Sequence, residues 1–198
     1  MPTFNDYQFT QSQITAIVSD VANGQYVWVA YTQKDTFCLL QKVSAHNLSQ
    51  VYYSISLPVS SINGLAIAGN NLFVAVNHST IAAYIISISA PLSSQIQILK
   101  STVSLTLSPF AVIASTDFAY FLTQTTGLYP QLVSFNKLGI YQHTYTLNQS
   151  GIIASNAVSL TVDNNENLWI IDNSNPTNLF RVWFGTGSTF YLQQTILS

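Results

Sequence analysis

Charge is what this sequence has least of. Only 5 of its 198 residues are Lys or Arg and 7 are Asp or Glu, so charged residues make up 6%, against about 25% in an ordinary soluble domain. A net charge of -2 with so few basic residues offers no electrostatic surface for nucleic acid or for an anionic membrane. We therefore expect neither nucleic-acid binding nor membrane insertion.

Cysteine and long apolar runs are also scarce. Cys38 stands alone, which excludes a disulfide framework. The most apolar stretch, residues 81–90, is far shorter than the roughly 20 residues of a membrane-spanning helix. The N-terminus has no basic start and no apolar run, and so does not resemble a signal peptide. These absences predict a protein made in the cytoplasm.

The rest of the sequence consists mainly of apolar residues and uncharged polar residues. Apolar residues make up 48% and aromatic residues 13%, while Ser, Thr, Asn and Gln supply 74 residues. The apolar fraction is ample for a core and excludes disorder. The polar fraction predicts a surface like those of lectins, fibres and particle coats.

Four aromatic anchors mark an internal repeat. Trp28, Phe73, Tyr120 and Trp169 are separated by 45, 47 and 49 residues, each within a short apolar strand. A strand of small residues precedes each anchor strand and two more strands follow it. Four strands in each of four units of about 45 residues are typical of a β-propeller. We predict an all-β, four-bladed β-propeller of four-stranded antiparallel blades; the alternative is a two-sheet β-sandwich.

The repeat also predicts the domain organisation. A single domain covers residues 14–198, and residues 1–13 form an N-terminal arm or an extra edge strand. The predicted blades are approximately 14–58, 62–107, 109–148 and 157–198. Within them, the predicted strands are 14–19, 26–30, 37–43 and 51–57; 64–68, 72–76, 81–88 and 95–99; 110–114, 119–122, 131–135 and 142–147; and 158–162, 168–171, 179–184 and 190–196.

One hairpin carries a family resemblance. Asp163-Asn164-Asn165-Glu166-Asn167-Leu168-Trp169-Ile170 resembles the D-x-x-G-N-L-W-V hairpin of NHL, SMP-30-like and two-component-regulator propeller repeats. Residues 68–75 resemble the same hairpin. The resemblance implies the fold and no activity. Propellers of those families usually have more than four blades, so four units imply either a compact closed ring or a piece of something larger. The initiating Met and four complete units favour a whole protein.

Catalytic chemistry finds no support in the sequence. Asp20, Asp117 and Asp163 fall near the inner hairpins of their units, where turn capping explains them. Cys38 lies in an apolar strand, which indicates a buried thiol. No G-x-S-x-G elbow and no glycine-rich phosphate loop occur. We expect no catalytic residue and no cofactor.

Metal binding has one weak candidate. Asp163, Asn165 and Asn167 are spaced like the first ligands of a calcium loop, but Leu168 occupies the position that needs glycine. We interpret these residues as an Asx-stabilised turn.

Aromatic residues are the candidate binding residues. Tyrosine and tryptophan beside amide side chains can contact sugars or protein partners, although half-buried sheet positions would explain the same residues. The candidates near predicted strand ends, loops and the last blade are Tyr31, Tyr52, Tyr53, Tyr129, Tyr141, Arg181 and Trp183.

These features favour a non-enzymatic structural or adhesion module. We expect a virion-associated, phage-like decoration, tail or fibre component in a virion or other extracellular particle. It would contact other protein chains, and a homo-oligomer is one form that this contact can take. The alternative is a lectin-like propeller that binds a surface glycan. The loops after the anchor strands differ between units, which disfavours a fourfold lectin. A propeller lyase or hydrolase is a distant third hypothesis.

Overall fold

The computed structural model describes the chain over residues 12–20, 24–33, 37–78, 80–88, 96–100, 109–123, 129–149, 152–173, 178–184 and 189–196. These residues form eighteen strands and contain no helix. The predicted N-terminal arm lies outside the described residues except for its last two, which begin the first strand.

The first sheet is an antiparallel meander of four strands. It contains β1 (Ser12–Ser19), β2 (Tyr26–Gln33), β3 (Phe37–Ser44) and β4 (Val51–Leu57), in the order β1-β2-β3-β4. Strand β4 is a sheet edge, and from Tyr52 to Ser56 its residues alternate between exposed and partly buried positions. Such an alternation is typical of a strand with one solvated face.

The second sheet repeats this order. It contains β5 (Ser61–Ala68), β6 (Asn71–Asn77), β7 (Ile81–Ser87) and β8 (Ile96–Lys100). The central strands β6 and β7 are buried on both faces, which explains their nearly continuous apolar sequences.

The third sheet contains β9 (Ala111–Ala114), β10 (Phe118–Thr123), β11 (Gln131–Asn136) and β12 (Tyr141–Thr146). A short hairpin follows it, formed by the two-residue strands β13 and β14. Their ranges are Asn148–Gln149 and Ile152–Ile153.

The fourth sheet contains β15 (Ala157–Val162), β16 (Leu168–Asp172), β17 (Asn178–Phe184) and β18 (Phe190–Ile196). Each of the sixteen predicted strands therefore exists in the described chain, with ends shifted by at most three residues. The sandwich alternative is wrong, because the strands form four separate sheets of consecutive strands instead of two shared ones.

By contacts, the chain divides into two units, residues 1–62 and residues 63–198. The first unit holds the first sheet. The second holds the third and fourth sheets and all of the second sheet except the first two residues of β5.

The second and third sheets pack face to face through aromatic and small side chains. Phe73 lies 6.2 Å from Phe121 between ring centroids, and Phe121 lies 5.6 Å from Phe135 in an edge-to-face contact. Ala66 of β5 is buried in the same cluster. Small residues on β5 let the backbones of the two sheets approach, so the rings fill the space behind them.

The third and fourth sheets pack through a second cluster. Leu122 and Leu132 of the third sheet are fully buried there with Leu168, Ile170 and Phe180 of the fourth. Alternate residues of a strand point to opposite faces. Consequently Trp169, between two of these buried residues, points away from the third sheet.

The four predicted anchors differ in burial. Trp28, Phe73 and Tyr120 are buried, whereas Trp169 is half-buried. Phe73 faces the third sheet and Tyr120 faces the fourth. Trp169 occupies the equivalent position on the last sheet of the chain.

No helix among the described residues is long and apolar enough to cross a membrane.

Candidate functional site

The five candidate tyrosines are not gathered at one place. Tyr31 is buried against its own sheet, so it leaves little surface for a ligand. Tyr52 is exposed and Tyr53 half-buried on β4 of the same unit. Tyr129 and Tyr141 are exposed in the second unit, before β11 and at the start of β12. No shared binding site emerges from these residues.

Arg181 and Trp183, by contrast, lie together on the far face of the fourth sheet. The Arg181 Cζ atom is 5.1 Å from the centroid of the Trp183 ring and 5.9 Å from that of Trp169. Its Nη2 atom donates a hydrogen bond of 2.9 Å to Asn167 Oδ1. Trp183 in turn stacks on Tyr191 at 5.3 Å. The guanidinium group is thus held between two aromatic rings by cation–π contacts.

The loop of Asp163 is an Asx-stabilised hairpin turn, as the sequence predicts. The Asp163 carboxylate accepts hydrogen bonds from the backbone N–H groups of Asn165 and Asn167 and from Trp169 Nε1, at 2.8, 2.9 and 2.9 Å. These donors, led by the Trp169 indole, lower the pKa of Asp163 to about 2. The Asn167 side chain donates from Nδ2 to the Asp163 carboxylate, and its Oδ1 accepts from Arg181. The Asn167 oxygen is thus engaged by a cationic donor, which argues against a calcium site formed by Asp163, Asn165 and Asn167.

The other candidate polar groups are engaged elsewhere. Asp20 pairs with Lys42 at 3.1 Å, and Asp117 pairs with the exposed Lys137 at 2.6 Å. Cys38 is buried, and burial raises the pKa of its thiol. Across the described ranges, no group of three or more His, Cys, Asp or Glu side chains is placed to hold a metal ion.

A cleft of about 520 Å³ opens between the third and fourth sheets. Strands β10, β11 and β12 form one side, and the hairpin between β15 and β16 and the end of β17 form the other. The residues that line this cleft are Phe118, Tyr120, Ser134, Gln142, His143, Tyr145, Asn165, Glu166, Asn167, Trp183 and Phe184.

Aromatic rings and polar side chains line the cleft together, and some of the rings pack on one another. Tyr120 and Phe184 stack in parallel, with ring centroids 5.3 Å apart and 5° between their planes. Tyr145 packs against Phe184 at 5.1 Å. Burial raises the pKa of Tyr120 and, in spite of a hydrogen bond with Ser134, that of Tyr145. Both phenols are therefore neutral hydroxyl groups across the physiological pH range.

Glu166 lies at the rim of this cleft with an unusual backbone. Its φ is 62°, whereas the other described residues with positive φ are Gly24, Gly69 and Gly139. Its Oε1 atom accepts a hydrogen bond of 3.3 Å from the backbone N–H of Thr116, across from the fourth sheet. Sequence reasoning missed Glu166. The available signal was its position in the D-x-x-G-N-L-W-V hairpin, where the motif has glycine.

Comparison with known proteins establishes the fold. No protein-family model matches the chain, and no curated protein matches it. Among solved structures, it is similar to the Cps50 (Swd1) beta-propeller domain of Myceliophteria thermophila, with a TM-score of 0.59, 12% identity and coverage of 92% of this chain and 58% of that one. It is similar also to YCF48 from Cyanidioschyzon merolae, with a TM-score of 0.58, 13% identity and coverage of 94% and 57%.

The chain therefore spans less than two thirds of the length of either structure. The similarity, together with the four antiparallel four-stranded sheets, identifies a β-propeller fold. At this level of identity it carries no information about function.

Proposed function

We propose that this protein is a non-enzymatic structural or adhesion module that acts through protein–protein contacts. The proposed contact surface is the far face of the fourth sheet, called here the open face. Its residues are Trp169, Ile171, Leu179, Arg181, Trp183 and Tyr191.

One observation supports this proposal: the open face occupies the position in the repeat that is buried in the two preceding sheets. The equivalent faces of the second and third sheets, with Phe73 and Tyr120, are buried against the sheet that follows. The open face has the same apolar and aromatic character but leaves Ile171 42% and Tyr191 45% exposed. A propeller sheet is apolar on both faces and needs a cover on each. We infer that another protein chain supplies this cover.

The chemistry of the open face fits a protein partner. Tryptophan, tyrosine and arginine are the residues most enriched among those that dominate binding energy at protein interfaces. Arg181 is already oriented between two tryptophan rings, so little side-chain entropy remains to be lost when a partner binds. With charged residues at 6% of the chain, copies of the protein repel one another weakly.

The partner that we propose is a second copy of this chain within a larger assembly. Composition supports a virion or another extracellular particle as that assembly. The closed four-bladed ring predicted from the sequence is the competing explanation, in which the chain covers its own last sheet. Membership of the NHL and SMP-30-like group rests on the 163–170 hairpin.

Sedimentation velocity tests the proposal with a matched pair of substitutions. Ile171→Thr removes an apolar group from the open face, and Ile140→Thr makes the same change at a 57% exposed position in the hairpin between β11 and β12. Threonine keeps the β-branched shape that strands favour. We expect Ile171→Thr to weaken self-association at least about tenfold and Ile140→Thr to leave it unchanged. Equal association of both variants would contradict the proposal.

A further inference from the structure

We propose that the cleft between the third and fourth sheets binds a neutral carbohydrate and that the Glu166 carboxylate accepts hydrogen bonds from its hydroxyl groups. Binding at this site does not require self-association through the open face, although Trp183 belongs to both surfaces.

The backbone of Glu166 is the first reason. A side chain at a φ of 62° is in the left-handed region, which glycine enters freely and other residues avoid. The described residues with comparable φ values are all glycines, as is the residue at this position in the hairpin that the sequence resembles. Residues held in such conformations by the surrounding structure concentrate at active sites and ligand sites. Glycine here would relieve the strain and remove the carboxylate.

The hairpin that carries Glu166 is organised before any ligand arrives. Asp163 accepts hydrogen bonds from the backbone of the residues on both sides of Glu166, Asn165 and Asn167, and from Trp169 Nε1. Arg181 fixes the Asn167 side chain through its Oδ1 atom. The three lining residues 165–167 are thus held on a rigid turn, and a preorganised site loses less entropy on binding.

The walls and the rim suit the two sides of a sugar ring. A pyranose has an apolar face of C–H groups and an edge of hydroxyl groups. The cleft offers the partly exposed rings of Phe118, Trp183 and Phe184 for the apolar face, whereas Tyr120 and Tyr145 are themselves buried. Gln142 and Glu166 at the rim supply amide and carboxylate groups for the hydroxyls. The surface that lines the cleft is more polar than apolar, which suits a ligand rich in hydroxyl groups.

Charge restricts the ligand class further. The lining contains one carboxylate, one histidine (His143) and no Lys or Arg, so a phosphorylated, sulfated or acidic sugar would have no permanent counter-charge and would be repelled by Glu166. The volume of about 520 Å³ falls within the range of about 300–1,000 Å³ found for small-molecule sites. A neutral sugar fits both conditions.

The experiment combines an array of neutral and acidic glycans with calorimetric titration of the best neutral hit. We expect wild-type protein to bind neutral glycans. We expect Glu166→Gly to bind at least about tenfold more weakly, while its thermal midpoint stays at or above that of wild type. Glu166→Gln, which keeps the length of the side chain, should also bind more weakly. The control Asp117→Asn removes an exposed carboxylate outside the cleft and should leave affinity unchanged.

Two results would overturn the proposal. The first is the absence of any neutral glycan that binds wild-type protein. The second is wild-type affinity in either Glu166 variant; a lowered thermal midpoint of Glu166→Gly beside that unchanged affinity would limit Glu166 to its structural contact with Thr116.

Discussion

Asp163 and Glu166 are three residues apart, and they have opposite effects on the stability of their hairpin. The Asp163 carboxylate is the acceptor that holds the hairpin together. Glu166 is in a conformation that costs about 1–2 kcal/mol for a residue other than glycine. The spacing of Asp and Asn in the sequence predicted the first role, because Asx turns depend on local residues. The positive φ of Glu166 follows from the closure of the turn, which residue types alone do not define.

Asp163 makes the stability of the protein sensitive to acid. Its pKa is lowered from 3.8 to about 2 in the folded state, so its stabilising effect is present above about pH 4 and is lost as the pH falls through about 2. We expect Asp163→Asn to lower the thermal midpoint at neutral pH. The difference in thermal midpoint between this variant and wild type should become smaller at acid pH. Thermal unfolding followed by tryptophan fluorescence over this pH range measures both. A gap that is independent of pH would contradict this role.

At the scale of elements, the sequence predicted the strands well. Alternating apolar residues, anchor aromatics and turn residues are local signals, and all sixteen predicted strands exist in the described chain. The hairpin of β13 and β14 was missed because strands of two residues are too short to show an alternating pattern. Its stability comes from contacts with the fourth sheet, including Gln149 Nε2, which donates to the Phe190 carbonyl at 2.9 Å.

The packing of the second and third sheets depends on a small residue at Gly64. A Cβ atom there would lie 3.2 Å from Val112 Cγ1 and 3.3 Å from its backbone nitrogen. We expect Gly64→Val, which adds still larger groups, to lower the free energy of unfolding by about 1–3 kcal/mol through overpacking.

Chemical denaturation measures this effect against a control. Ser56→Val introduces the same side chain at an exposed position of the edge strand β4 and should change the free energy of unfolding by less than about 0.5 kcal/mol. Equal stability of the Gly64 and Ser56 variants would show that the sheets tolerate a wider separation at this point.

At the scale of the whole molecule, the sequence predicted the fold but not the candidate site. The β-propeller fold follows from the repeat of four anchors, and similarity to solved propellers supports it. The cleft was missed because its lining residues, between Phe118 and Phe184, come from both the third and the fourth sheet. Their proximity is a product of sheet packing. Sequence position likewise could not separate the buried Tyr31 from the exposed Tyr52.

The open face belongs to the last sheet of the described second unit, and no further sheet follows it there. Trp169 on this face is equivalent to Phe73 and Tyr120 in the repeat, yet it is only half-buried. We therefore predict that the protein acts as part of an assembly.

The molar mass of the purified wild-type chain in solution, measured by light scattering over a wide range of concentrations, tests this claim most directly. We expect a mass above 21.8 kDa that rises with concentration and changes little with added salt, because the proposed contact is mainly apolar and aromatic. A mass of 21.8 kDa at every concentration would show that the chain does not self-associate, and the proposed role in an assembly of copies would be wrong.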